Sequence, residues 1–133
     1  MKNDHIKYLC QAAAIAAVYA VLNLIFAPIS FGPIQCRISE MLTVLPAFAA
    51  AAVPGLAVGC LLGNIMGGAI VPDIIFGSLA TLIGAAGTRV LCRGIIGTAL
   101  QSGKPDMNLR LRAILPPIIS NTIIVPLVLK YAY

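Results

Sequence analysis

Apolar residues run in long blocks along this chain, and most polar positions fall between the blocks. Punctuated by proline, glycine and charge, the pattern predicts five apolar spans: Tyr8–Phe26, Ile38–Val53, Gly55–Ile70, Asp73–Leu91 and Leu111–Leu129. A helix that crosses a bilayer needs about 20 predominantly apolar residues. The second and third spans fall short of that, which points to tilt or local thinning of the bilayer. The expected fold is an all-α integral membrane protein: one domain over residues 1–133, a compact transmembrane bundle of about five helices.

Composition fixes the class. The 133 residues are 60% hydrophobic and 10% charged, whereas a soluble domain is about 25% charged. A chain this short has no room for a soluble domain beside its bundle, so any use of ATP falls to other chains. Lys2 and Lys7 ahead of the first apolar run resemble the start of a secretory signal. That run is too long for a signal core and more spans follow, so it reads as a retained first helix.

Loop charge decides the topology. No charge separates the second span from the third, and one long kinked crossing would put Arg89, Arg93, Lys104, Arg110 and Arg112 outside if the amino terminus is cytoplasmic. A hairpin at Pro54-Gly55 instead places them inside with Lys2 and Lys7, as positively charged loops prefer. The expectation is therefore a multi-pass cell-membrane protein with a cytoplasmic amino terminus. The loops at Ala27–Ile38 and Gly67–Asp73 then share the external side, where Glu40 and Asp73 can meet. The basic stretch Arg89–Arg112 lies near anionic membrane lipid. Its sparse charge and lack of aromatics argue against nucleic acid.

Two packing patterns stand out. Ala12, Ala16 and Ala20, flanked by Ala13 and Ala17, make one face of the first helix almost flat. Such faces let backbones approach closely, either within the bundle or as a docking surface for another membrane subunit. Gly55, Gly59, Gly63 and Gly67 form a glycine row on the third span, expected to pack tightly inside the protein. In the fourth span Gly77, Thr81 and Ala85 repeat the pattern, beside Ala80, Gly84 and Thr88.

The polar residues set between apolar spans are the candidates for chemistry, since an ionisable group at membrane depth costs several kcal/mol. Gln35, Arg37, Glu40, Asn64, Asp73, Ser78 and Asn121, with Phe31 and Phe76, form a set suited to a flat polar heterocycle. A carboxylate accepts two donors from one planar edge, an amide pairs with a carbonyl and a ring nitrogen, and aromatic faces stack on the ring. Each has a plainer reading. Arg37 and Glu40 are one turn apart and can pair with each other, Asp73 can favour its helix dipole, and Asn64 and Asn121 can join helices.

Other chemistries find little support. Cys10, Cys36, Cys60 and Cys92 are scattered without metal-ligand or redox spacing, so no metal or cofactor is expected. Gly97–Pro105 imitates a phosphate loop but has five residues between its glycines and Pro105 after Lys104, where the pattern needs four and a hydroxyl. No nucleophile and base stand together, and the lone His5 is in the amino-terminal tail. The chain does not read as an enzyme.

Two segments carry a family resemblance. APISFGPIQCRISE followed by MLTVLPAF, and PDIIFGSLATLIGA, with a weaker match through LPPIISNTIIV, resemble the queuosine-precursor transporter family. These are substrate-binding S components of energy-coupling factor (ECF) transporters. The resemblance implies capture of a 7-deazaguanine, the cyano or aminomethyl precursor of queuosine, from outside the bacterial cytoplasmic membrane. It further implies docking on a transmembrane coupling subunit that carries two ATPase subunits, with Ala12, Ala13, Ala16, Ala17 and Ala20 as the docking face. By matching segment, Gln35, Arg37 and Glu40 belong to the first-loop side of the pocket and Asp73 and Phe76 to the opposite side; Glu40 is expected to read the guanine-like donor edge and Asp73 to face the substituent. Such components have six helices, so this chain is expected to be truncated before a last one. The competing readings are an assembly subunit that binds no ligand and an autonomous secondary carrier of a similar heterocycle.

Overall fold

The computed structural model describes residues 2–30, 38–103 and 107–132. Among these every regular element is helical: α1 (Lys2–Ile25), α2 (Ala27–Ser30), a 3₁₀ segment (Ile38–Ala47), α3 (Ala52–Met66), α4 (Val71–Cys92), α5 (Ile96–Ser102) and α6 (Met107–Ala132). Helices α1, α4 and α6 are long and apolar enough to cross a membrane. The fold is an all-α membrane bundle.

Its interior inverts the usual rule of large apolar residues inside. Most buried positions are small or polar, among them Ala16, Ala20, Asn23, Asn64, Thr81 and Thr88, with Leu56 and Tyr19 as large exceptions, while Leu9, Ile25, Val90 and Ile123 are exposed. In hydrocarbon, large aliphatic side chains gain nothing by turning inward, whereas backbones gain dispersion contacts by approaching closely and polar groups must find partners inside.

The second span is the least regular. Ten residues of 3₁₀ helix rise about 2.0 Å each, so Ile38–Ala47 reaches about 20 Å, a distance that takes about 13 residues of α-helix. The hairpin expected at Pro54-Gly55 lies earlier, in a turn at residues 48–51. Pro54 is the third residue of α3, where its missing N–H has no intrahelical acceptor to lose. Proline here opens the helix instead of breaking it. At the far end of α3, Gly67 caps the helix and Gly68 turns the chain at φ +74°, a left-handed conformation that glycine adopts without steric cost. α5 falls within the basic stretch that was expected to be a loop.

Close approaches fix the directions of the chain. Along α3, a Cβ on Gly55 would lie 2.7 Å from the Ala12 carbonyl oxygen, one on Gly59 2.8 Å from the Ala16 carbonyl oxygen, and one on Gly63 2.7 Å from Asn23 Nδ2. Contacts that advance together along both helices make α1 and α3 parallel, as a hairpin between the second and third spans requires. The glycine row is internal packing at Gly55, Gly59 and Gly63, while Gly67 serves as the cap. The face opposite it includes Ala12 and Ala16, which α3 therefore covers; Ala20 is buried, and Ala13 and Ala17 are exposed.

α4 and α6 run antiparallel and share the most extensive interface. A Cβ on Gly84 would lie 2.9 Å from Pro117 Cα, and the Thr88 hydroxyl donates to the Ala113 carbonyl at 3.0 Å. That carbonyl is the one orphaned by Pro117, four residues on, which has no N–H to give it. The 3₁₀ segment touches α1, α3, α4 and α6, so a side chain at its start can meet several helices at once.

Candidate functional site

Glu40 stands in the first turn of the 3₁₀ segment and gathers three helices. Its Oε1 accepts from the hydroxyl of Tyr19 on α1 at 2.9 Å and from that of Thr81 on α4 at 3.2 Å. Its Oε2 accepts from Asn121 Nδ2 on α6 at 3.2 Å. Tyr19 and Thr81 are buried; Glu40 and Asn121 are partly open. A carboxylate at this depth is held by donors from three helices, the condition under which such a group is tolerated in a membrane bundle.

Behind Glu40 the polar contacts continue. Thr81 carries one proton but has three acceptors in range: Glu40 Oε1, its own-helix Gly77 carbonyl at 3.0 Å and Cys60 Sγ at 3.4 Å. Asn64 Nδ2 reaches Cys60 Sγ at 3.5 Å, and Asn23 Nδ2 donates to Asn64 Oδ1 at 3.3 Å. The chain of contacts thus runs from α6 through the 3₁₀ segment, α4 and α3 to α1. At its end Asn23 Oδ1 is buried with no hydrogen-bond partner among the described residues.

In front of Glu40 lies a cleft of about 540 Å³ between the 3₁₀ segment and α6, lined by Glu40, Met41, Thr43, Val44, Ile114, Pro117, Ile118, Asn121 and Thr122. Its size is in the range of small-molecule sites, roughly 300–1,000 Å³. Apolar walls with a carboxylate and an amide at one edge suit a planar ligand whose rim carries hydrogen-bonding groups. A second groove, about 580 Å³ between α4 and α6, is lined by Pro72, Phe76, Leu79, Ile124, Leu127, Val128 and Tyr131. It offers no convergent polar groups and is a surface for apolar contact, so we place the chemistry in the first cleft despite the similar size.

The sequence candidates divide accordingly. Glu40 and Asn121 meet at the cleft. Asn64 is buried one step behind, joined through Cys60 and Thr81. Asp73 is buried near the start of α4, eight residues before Thr81 and so about 12 Å along the helix from Glu40's partner. Phe76 lines the other groove, because four-residue steps from Pro72 to Phe76 put it on the α6-facing side. Ser78 donates to its own-helix Ile74 carbonyl at 2.7 Å, a local bond that satisfies it without a ligand. Phe31, Gln35, Cys36 and Arg37 lie outside the described residues.

Four participants were not foreseen as site residues, one of them Cys60, which links Thr81 to Asn64. Tyr19 and Asn23 lie one turn apart on α1, and the available signal was a tyrosine and an asparagine in line with an alanine face. Thr81 stood out only as a small packing residue. Its hydroxyl gave no hint in sequence of which helix it would face.

Comparison with known proteins agrees with the membrane fold. The chain is 34% identical over 85 residues to the "Queuosine precursor transporter QueT" of Lactococcus lactis subsp. cremoris (strain MG1363), a match covering 62% of this chain and 50% of that protein. The aligned region thus spans about half the length of this curated relative. No solved structure matches the chain significantly. The family model described as QueT transporter matches residues 9–133, nearly the whole chain, from the first helix through the cleft-lining α6: the protein belongs to the QueT transporter family, a family of transporters and not of enzymes.

Proposed function

We propose that this chain is the membrane-embedded substrate-binding S component of an ECF-type importer, and that it captures a 7-deazaguanine queuosine precursor on the external side of the bacterial cytoplasmic membrane. Family membership and the printed name of the Lactococcus relative support the substrate class. The observation that carries the reading is the Glu40 carboxylate at the edge of an apolar cleft. A guanine-type edge offers an N–H and an amino group side by side, and a carboxylate is the one side chain that accepts both.

Cleft walls such as Val44, Ile114 and Ile118 cover the faces of the ring. Uptake requires a transmembrane coupling subunit with two ATPase subunits. On α1, Ala13 and Ala17 are the docking positions left exposed once α3 has covered Ala12 and Ala16 and Ala20 is buried. The amino terminus is cytoplasmic, on the same end of the bundle as Arg89, Arg93, Arg110 and Arg112.

Calorimetry on the purified chain in detergent tests the binding step, with 7-cyano- and 7-aminomethyl-7-deazaguanine as ligands and guanine and riboflavin as controls. Tight binding of a deazaguanine without any partner subunit is expected. Folded protein that binds neither compound would refute the reading in favour of an assembly subunit. Ion-gradient-driven uptake into vesicles without an ATPase would favour an autonomous carrier.

A further inference from the structure

Glu40 has hydrogen-bonding capacity that its three protein donors do not fix. Two oxygens offer about four acceptor positions. Among the described residues Oε2 accepts only from Asn121. On Oε1 the Tyr19 bond is the shorter, at 2.9 Å, and Thr81 has a nearer acceptor in the Gly77 carbonyl, so it can leave Glu40 without being stranded. Among the described residues, one acceptor position on each oxygen is thus not held by a fixed protein donor.

Asn121 completes the pattern. The carboxylate beside it sets the orientation of the amide, because the opposite one would place carbonyl oxygen against carboxylate oxygen. Nδ2 carries two hydrogens, and only one goes to Glu40. Asn121 also lines the cleft. The Glu40–Asn121 pair therefore combines one amide donor with two carboxylate acceptors at the cleft. The complement is a planar edge that reads carbonyl, ring N–H, amino.

We propose that Asn121 is a specificity residue of the cleft: it donates its second amide hydrogen to the ring carbonyl of the ligand while Glu40 takes the adjacent N–H and amino groups. This rests on the cleft being the site for a guanine-type ligand. It goes further in making the carbonyl, and not only the donor edge, a requirement. Adenine-type edges fail, since they turn an amino group toward the Asn121 donor.

Calorimetry with a matched ligand pair tests the assignment: 7-cyano-7-deazaguanine and its 6-thioxo analogue, which keeps both donors and replaces the carbonyl oxygen with a weak acceptor. The unsubstituted protein is expected to prefer the oxo compound by about tenfold, the worth of one hydrogen bond. Asn121→Leu keeps the bulk and removes the donor, and its preference is expected to fall to within about twofold. Asn121→Ala is the second variant if the leucine variant does not fold. A purely structural asparagine would weaken both ligands together and keep the ratio. An unchanged ratio in the variant, or no oxo preference in the unsubstituted protein, overturns the proposal while leaving the binding function standing. Failure of the unsubstituted protein to bind either compound removes the functional reading itself.

Discussion

Between α1 and α3 the helices meet backbone to backbone, with Gly55, Gly59 and Gly63 against Ala12, Ala16 and Asn23. Between α4 and α6 they meet through hydroxyls and prolines: Thr88 on the Ala113 carbonyl, Gly84 against Pro117, and Ser120 turned back on the Pro116 carbonyl. Both interfaces use small residues, but for different ends. An intact helix needs only a smooth face to gain close contact. A helix interrupted by Pro116, Pro117 and Pro126 must also find donors for the carbonyls it orphans. The first arrangement makes a closed interface; the second leaves space at α6, beside the 3₁₀ segment, for a cleft.

The most direct way to break the closed interface is Gly59→Leu. Its Cβ alone would sit 2.8 Å from both a backbone oxygen and Tyr19 Cβ, where nothing flexible can yield. A loss of about 3 kcal/mol or failure to fold is expected in detergent unfolding experiments. A near-normal midpoint would mean the helices can separate, and the contrast between the two interfaces would not hold.

On the cleft side, Glu40→Gln is expected to leave the fold intact and reduce affinity for a deazaguanine by roughly ten- to a hundredfold, the range for a charge-assisted hydrogen bond. Retained affinity would remove Glu40 from the site. A smaller effect tests the proline repair: Thr88→Val should cost about 1–2 kcal/mol by stranding the Ala113 carbonyl. Pro117→Ala in that background restores the missing N–H and should recover part of the loss, which a simple packing role for Thr88 does not predict.

The smallest expected effect on stability comes from the outer face of α1. Ala17→Leu points away from α3 and should change the free energy of unfolding by less than about 0.5 kcal/mol. Co-purification with a coupling subunit should nonetheless fall if this face docks it. Undiminished assembly would move the docking surface elsewhere.

Much of this architecture was legible in the order of residues. Long apolar blocks define α1, α4 and α6, because a helix must satisfy its own backbone in hydrocarbon and apolar length is all that spanning requires. The glycine row and the loop charges pointed to close packing and to a hairpin. Glu40 and Asn121 were visible as polar groups among apolar neighbours, for which solvation alone demands a purpose.

The sequence by itself determined that this is a membrane bundle with a few expensive polar groups inside. Tertiary structure decided which of those groups meet. Glu40 and Asn121 are 81 positions apart and come together only because α4 and α6 run antiparallel beside the 3₁₀ segment. The same placement sends Phe76 to another groove and turns Ala12 and Ala16 against α3. The physical reason is one of range. Hydropathy and helix periodicity act over a turn or two of chain, whereas the partner of a buried donor is set by helix rotation and register. Those depend on backbone approaches of a few ångströms at glycines and prolines far away in sequence.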